Sequence, residues 1–220
     1  MELEVIAKIE SDFKSKFGIP RQSGLINGIP CRVVFENKYA NGDALRGLEG
    51  YSHIWLIWGF SKAKSTEWSP TVRPPRLGGN KRMGVFATRS PYRPNSLGLS
   101  CVRLLSVESG TLVIDGADLL NETPIYDIKP YLPFTDSVPD ASGGFADEVF
   151  GDKLDVKIDD GLLSLLPKEK REPLLNILKS DIRPAYHNDE SRIYGFEYAG
   201  FEIRFYVNDG IVRVTKIMQK

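Results

Sequence analysis

Short runs of β-branched and aromatic residues follow one another through the first half of this 220-residue chain, with no long helical pattern between them. Residues 51–60 (YSHIWLIWGF), with Gly50 and Gly59 as brackets, read as a buried strand. Residues 99–107 and Thr111–Asp115 flank Glu108-Ser109-Gly110, a short glycine-containing connection that predicts a hairpin. A doubly wound α/β fold needs a helix after nearly every strand, and this chain does not supply them. The expectation is therefore a mainly β fold, with a small antiparallel β-barrel over residues 1–138. Residues 70–98 carry Pro74-Pro75, Gly78-Gly79, Pro91 and Pro94, and predict loop around one short strand at 83–88.

A change of character comes at 136–152, where Pro139 and Ser142-Gly143-Gly144 mark a connector. This places a linker at 139–155 and a small α+β domain at 156–220. Lys168–Lys179 has Leu174, Leu175 and Leu178 at helical spacing, with Pro173 near a helix start or a kink, and predicts one helix. Residues 196–198, 201–207 and 211–218 then form three β-like runs, joined by Ala199-Gly200 and Asn208-Asp209-Gly210 as hairpin turns.

Hydrophobic residues at 41% and charged residues at 26% lie close to ordinary globular usage, far from the signature of disorder. The two cysteines, Cys31 and Cys101, form no CxxC, so neither a disulfide framework nor a cysteine metal site is predicted. Met1-Glu2-Leu3-Glu4 lacks the basic and apolar regions of a secretory signal, and no apolar run is long enough to cross a bilayer. A cytoplasmic protein without a membrane partner is expected.

Lys plus Arg and Asp plus Glu both total 29, so net charge gives no reason to expect nucleic acid. Their distribution does. Arg73, Arg76, Lys81, Arg82, Arg89, Arg93 and Arg103 lie between Trp68 and Val107 with no acid among them. From Asp115 to Asp160 the sign reverses, with only Lys129, Lys153 and Lys157 against a series of acids. Segregation of this kind sustains a local field even when the total cancels.

The segment Arg89-Ser90-Pro91-Tyr92-Arg93-Pro94-Asn95-Ser96-Leu97-Gly98-Leu99 crowds donors onto a proline-stiffened loop, which suits an anionic or carboxylate-bearing ligand as well as it suits a rigid turn with solvated arginines. Arg73, Arg76, Lys81 and Arg82 sit in a Gly/Pro-rich loop fitted to several phosphates, against the plainer reading of a solvated charged face. His53 lies in an apolar strand, where a satisfied buried histidine is the common case, and His187 is far from it, so no histidine metal site is expected. No P-loop, GxGxxG or nucleophile–histidine pairing is present. Asp118, Asp127 and Asp136, accompanied by Tyr126 and Tyr131, could hold a ribose or an ammonium and stack on a base, or could be strand-end acids with core tyrosines.

Taken together, Phe17-Gly18-Ile19-Pro20-Arg21-Gln22, Leu45-Arg46-Gly47-Leu48-Glu49-Gly50-Tyr51-Ser52-His53-Ile54-Trp55, the run from Arg73 through Arg93-Pro94-Asn95 to Gly98, and Asp127-Ile128-Lys129-Pro130-Tyr131 resemble the TrmO (TsaA-like) family of S-adenosylmethionine-dependent tRNA adenine-N6 methyltransferases. Asp181-Ile182-Arg183-Pro184-Ala185-Tyr186 resembles that family's C-terminal domain. The resemblance implies a barrel that binds S-adenosylmethionine without a Rossmann fold, works as a homodimer, and acts on threonylcarbamoyl-adenosine at position 37 of a threonine tRNA, with the C-terminal domain helping to hold the tRNA. Carried onto this sequence, it makes Pro20, Arg21, Gln22, His53, Arg89, Leu99, Asp118, Leu119, Leu120 and Asn121 candidates for the cofactor pocket. Arg73, Arg76, Lys81, Arg82, Arg93 and Asn95 are then candidates for RNA contact. Two departures stand out: Ser23 replaces an expected proline, and Glu10-Ser11-Asp12-Phe13 replaces a Ser-Pro-aromatic pattern.

Methyl transfer from a sulfonium needs an in-line nucleophile, so positioning supplies much of the rate. The N6 lone pair is delocalised, and a carboxylate that accepts its proton would help; Asp127 or Asp136 is nominated, with Tyr131 as a stacking or hydrogen-bonding partner. Competing readings are a noncatalytic RNA-binding β-barrel and a phosphoryl-transfer enzyme holding Mg²⁺ on the acids.

Overall fold

The computed structural model describes residues 2–62, 68–77, 79–149, 153–183 and 189–220; the side chains of Arg76 and Val149 fall outside that description. His187, together with Pro184, Ala185 and Tyr186 of the tail motif, also lies outside the described residues.

In chain order the elements begin with β1 (Ala7–Glu10), β2 (Cys31–Phe35), α1 (Gly42–Leu45), β3 (His53–Gly59), β4 (Thr71–Val72), β5 (Met83–Gly84), β6 (Leu97–Glu108), β7 (Thr111–Asp115) and β8 (Pro124–Pro130). They continue with α2 (Pro133–Asp136), α3 (Phe145–Val149), β9 (Asp155–Lys157), α4 (Asp160–Ser164), α5 (Lys168–Lys179), β10 (Tyr194–Tyr198), β11 (Phe201–Asn208) and β12 (Ile211–Gln219). The first unit is a closed antiparallel barrel in the order β1-β2-β7-β6-β3-β8, with β8 returning to β1. The predicted mainly β architecture, a barrel followed by an α+β part, is the one observed.

Alternation builds the barrel. In β3 the side chains of Ile54, Leu56 and Trp58 are buried while His53, Trp55 and Ile57 face outward at intermediate exposure. Inward residues from all six strands, including Ile9, Val33, Val102, Ile114 and Ile125, fill the interior. The β6–β7 hairpin turns at Gly110, whose φ of 69° lies in the region that glycine occupies without strain. Gly98 is required for another reason: a Cβ there would lie 2.2 Å from Trp58 Cε2, so the indole lies directly against β6 backbone.

The second unit packs α5 on a four-stranded sheet ordered β10-β11-β12-β9, in which β12 and β9 run parallel. Leu174, Ile177 and Leu178 on α5 meet Tyr198, Ile203 and Phe205 of the sheet. The same core takes in Phe13, Ile26 and Ile29 from the long β1–β2 loop, so that loop belongs to the barrel by connection and to the second core by burial.

Local expectations needed correction at three places. The strand predicted at 83–88 is only β5, because Val85 donates its N–H to Pro70 O and Thr88 closes back on Val85 O, which turns the chain into a 3₁₀ turn at Val85–Ala87. A second short helix, α4, precedes α5, started by Asp159, whose side chain accepts from the N–H groups of Gly161 and Leu162. Pro173 sits inside α5, not at its start; its ring is buried and approaches Gly28, where an added Cβ would meet it at 3.3 Å.

Candidate functional site

The candidate residues fall into two groups on the barrel and a third on a hairpin beside it. The first group gathers where the β1–β2 loop meets the loop before β6. Arg89 donates to Gln22 Oε1, and Gln22 Nε2 donates to Arg21 O at 2.7 Å. Arg21 turns away from this group and donates to the main-chain oxygens of Asp181 and Arg183, the latter at 2.8 Å, which ties the Pro20-Arg21-Gln22 segment to the second unit. Pro20 is buried.

Asp118 closes the group from below. Ser100, fully buried on β6, donates to Asp118 Oδ1 at 2.6 Å and accepts from the Trp58 indole N–H at 2.9 Å. The main-chain N–H of Ser23 also donates to Asp118, and the Arg89 charge acts on it. A proline at position 23 would have no N–H to give, so the departure at Ser23 bears directly on this carboxylate. Burial raises the Asp118 carboxyl above its ordinary value, and the hydrogen bonds from Ser100 and Ser23 together with Arg89 hold it back only in part. Of the remaining candidates, Leu119 is a core residue at 1% exposure and offers a ligand only its backbone, while Leu120 is half-buried. Asn121 Oδ1 is engaged by Ser11 N–H at 3.0 Å, and Ser11 Oγ donates to Leu119 O. The second departure from the family pattern is therefore a brace for the 118–121 turn.

Sequence reasoning missed Ser100 and Trp58. Nothing in an apolar strand pattern flags them; they meet because the β3–β6 register pairs Leu56 with Ser100 and Trp58 with Gly98.

The second group lies on the outer face of β6, β3 and β8. Register places Leu99, Ile57 and Asp127 in one row, and Cys101, Trp55 and Lys129 in the next. Leu99 is 56% exposed. Asp127 pairs with Lys129 at 2.9 Å and accepts from Ile128 N–H. Asp136 accepts from Trp55 Nε1 and from Leu132 N–H, each at 2.9 Å, and these bonds hold its carboxyl below the usual range. Tyr131 packs against Trp55 and His53, with ring centroids 5.8 and 6.2 Å away. His53 is not the buried histidine expected from its strand: it faces outward at intermediate exposure, with Nδ1 2.9 Å from Ser52 Oγ, because odd positions of β3 point away from the interior. Among the described residues no hydrogen bond joins this group to Gln22, Arg89 and Asp118; Leu99, next in chain to Ser100, is the link between them.

Beside the barrel, β4 and β5 form a small hairpin, pairing Val72 with Met83, that carries exposed Arg73, Lys81 and Arg82. No ion pair engages these three among the described residues. Arg93, by contrast, braces its own loop by donating to Thr88 O at 3.1 Å. Asn95 lines an open cavity of about 530 Å³ with Gly59, Phe60, Pro94, Leu97 and Tyr126. Among the described residues no group of three His, Cys, Asp or Glu could hold a metal ion, and no helix is long and apolar enough to cross a membrane.

Residues 8–137 match the model of the tRNA-methyltransferase O N-terminal domain, and residues 153–220 that of the TrmO C-terminal domain, which makes this barrel one of the tRNA methyltransferases. The chain belongs to the tRNA-methyltransferase O family. It is 42% identical over 223 residues to the tRNA (adenine(37)-N6)-methyltransferase of Escherichia coli (strain K12), covering 94% of each chain. The enzyme of the same name from Eikenella corrodens is 44% identical over 172 residues, 76% of this chain and 97% of that one. The crystal structure of TrmO from P. aeruginosa superposes with a TM-score of 0.82 at 31% identity, covering 100% of this chain and 97% of that one.

Proposed function

We propose that the chain transfers the methyl group of S-adenosylmethionine to N6 of adenine 37 in tRNA, acting on threonylcarbamoyl-adenosine of a threonine tRNA, as a cytoplasmic homodimer. The observation that carries the reading is the cluster of Arg89, Gln22 and Asp118 in a chain of this family. Its polar groups fit the cofactor chemically: a guanidinium suits the amino-acid carboxylate, and a half-buried carboxylate suits the ammonium or ribose hydroxyls. When bound, the cofactor supplies the electrophilic methyl group.

In this reading residues 1–138 bind cofactor and do the chemistry, and residues 156–220, after the 139–155 linker, help to hold the tRNA. Pro20, the Arg21 main chain, Leu99 and the 118–121 turn frame the cofactor cluster, with His53 at its outer-face margin. Asp127 accepts the N6 proton. The hydrogen bonds from Leu132 N–H and Trp55 lower the Asp136 carboxyl and make it a poor proton acceptor, and it serves by fixing Trp55 beside Tyr131. A second copy covers the outer face of the barrel, which exposes Leu99 at 56% and Leu105 at 44%, with Phe134 at 86% at its edge. Arg73, Arg76, Lys81 and Arg82 hold RNA phosphates, and Arg93 and Asn95 add further RNA contacts.

Calorimetric titration with S-adenosylmethionine, with ATP plus Mg²⁺ as control, tests the reading. Saturable binding of S-adenosylmethionine alone is expected; its absence even with tRNA present would return the chain to the RNA-binding barrel. Asp127→Asn is expected to slow single-turnover methylation at saturating tRNA by about 10²–10⁴-fold, the usual contribution of a positioned base, and an unchanged rate would remove Asp127 from the chemistry. Lys81→Ala is expected to weaken tRNA binding and to reduce the slope of log affinity against log salt by about 0.7–0.9, leaving cofactor affinity unchanged.

A further inference from the structure

Trp68 and Phe86 are large aromatic residues left in solvent, at 54% and 71% exposure. They stand at the two ends of the β4–β5 hairpin. Thr71 pairs with Gly84, and Val85 N–H donates to Pro70 O at 2.9 Å, so the hairpin itself brings positions 68 and 86 together. Their rings are stacked, with centroids 6.4 Å apart and planes 28° from parallel. A hydrophobic pair in a fold interior would be covered; this one is covered by neither barrel core nor second core. The same hairpin carries Arg73, Lys81 and Arg82 without ion-pair partners among the described residues, and the sequence from Trp68 to Val107 holds no acid.

We propose that Trp68 and Phe86 form a stacking platform for an unpaired base of single-stranded RNA, whose flanking phosphates lie on Arg73, Lys81 and Arg82. The proposal deepens the assignment of this hairpin to RNA phosphates and rests on it. The chemistry selects the occupant. Aromatic faces alone would suit many apolar partners, and cations alone would suit any polyanion, including duplex. Exposed faces set among cations that have no ion-pair partner among the described residues match a strand whose bases are free to stack, because every base presents a π-face once it leaves the helix. An A-form duplex keeps its bases stacked on one another and offers these rings only backbone.

The test uses the full chain and two probes, a seven-nucleotide oligoadenylate and the same strand in a duplex. The oligoadenylate is expected to quench tryptophan fluorescence in a Trp55→Phe background, where the indole beside the methylation site is removed, and adding Trp68→Phe is expected to abolish that quenching, since Trp58 is buried in the barrel. Trp68→Ala and Phe86→Ala are each expected to weaken single-strand affinity by about five- to 150-fold, the range for loss of one base–aromatic stack. Phe86→Tyr retains affinity, which separates stacking from damage to the hairpin. Wild-type affinity in both alanine variants, quenching in the Trp55→Phe background that survives Trp68→Phe, or equal binding of the duplex would overturn the platform. A failure of the methyltransferase reading itself shows separately, as a wild type that binds no S-adenosylmethionine.

Discussion

Phe13→Ala is expected to destabilise the protein by about 3–5 kcal/mol, the usual loss when a buried phenylalanine is cut to alanine and its cavity only partly collapses. The residue is fully buried, with its ring 5.9 Å from that of Tyr198 in the second core. Its backbone belongs elsewhere: Phe13 O accepts from Asn121 N–H at 2.9 Å, at the turn that carries Asp118. One residue thus joins the 118–121 turn to the sheet of the second unit. Asp12 reinforces the seam through an ion pair with Lys170 on α5. Urea unfolding followed by far-UV circular dichroism and by tryptophan fluorescence reads the loss. A fall of less than about 1 kcal/mol would mean that the second core closes over the cavity and that the seam is not stabilised by this ring.

Much of the architecture was legible because it is local. The β6–β7 hairpin, the three C-terminal strands and α5 were all visible in side-chain periodicity and turn residues, which depend on neighbours a few positions away. The β1–β2 loop was not. Phe13, Ile26 and Ile29 lie among glycines and polar residues with no period, and only the distant packing of α5 and β10–β12 explains why they are apolar. The site divided in the same way. Arg89 and Asp118 could be nominated as residue types in suggestive segments, and Gln22 only through the family resemblance. The bonds from Trp58 through Ser100 to Asp118 depend on strand register between positions far apart in the chain, and no spacing rule encodes them. Trp68 and Phe86 flank the basic loop in plain view, yet only the hairpin that folds between them turns two aromatics into a stack.

Asp118→Asn is expected to raise the dissociation constant for S-adenosylmethionine by about 10–150-fold, the equivalent of the roughly 1.5–3 kcal/mol carried by a hydrogen bond to a charged group. The same change is expected to leave the protein as stable as before at neutral pH, or more so. Asparagine still accepts from Ser100 and from the Ser23 N–H, while the ionised carboxylate is held where burial disfavours charge. The linkage gives the direction. A carboxyl raised in the folded state binds its proton more tightly there than in the unfolded chain, so its contribution to stability is full below the ordinary aspartate range and is lost as pH rises through the raised folded value. Cofactor binding runs the opposite way, since it needs the ionised form: wild-type affinity falls as pH drops through that folded value, and the Asn variant shows no such step. Calorimetry across pH, paired with thermal melts of both proteins, separates the two effects. A variant that loses stability and affinity together would make Asp118 a structural acceptor for Ser100. A loss of affinity with stability intact fits a carboxylate kept charged at a cost in folding because its charge is what the ligand requires.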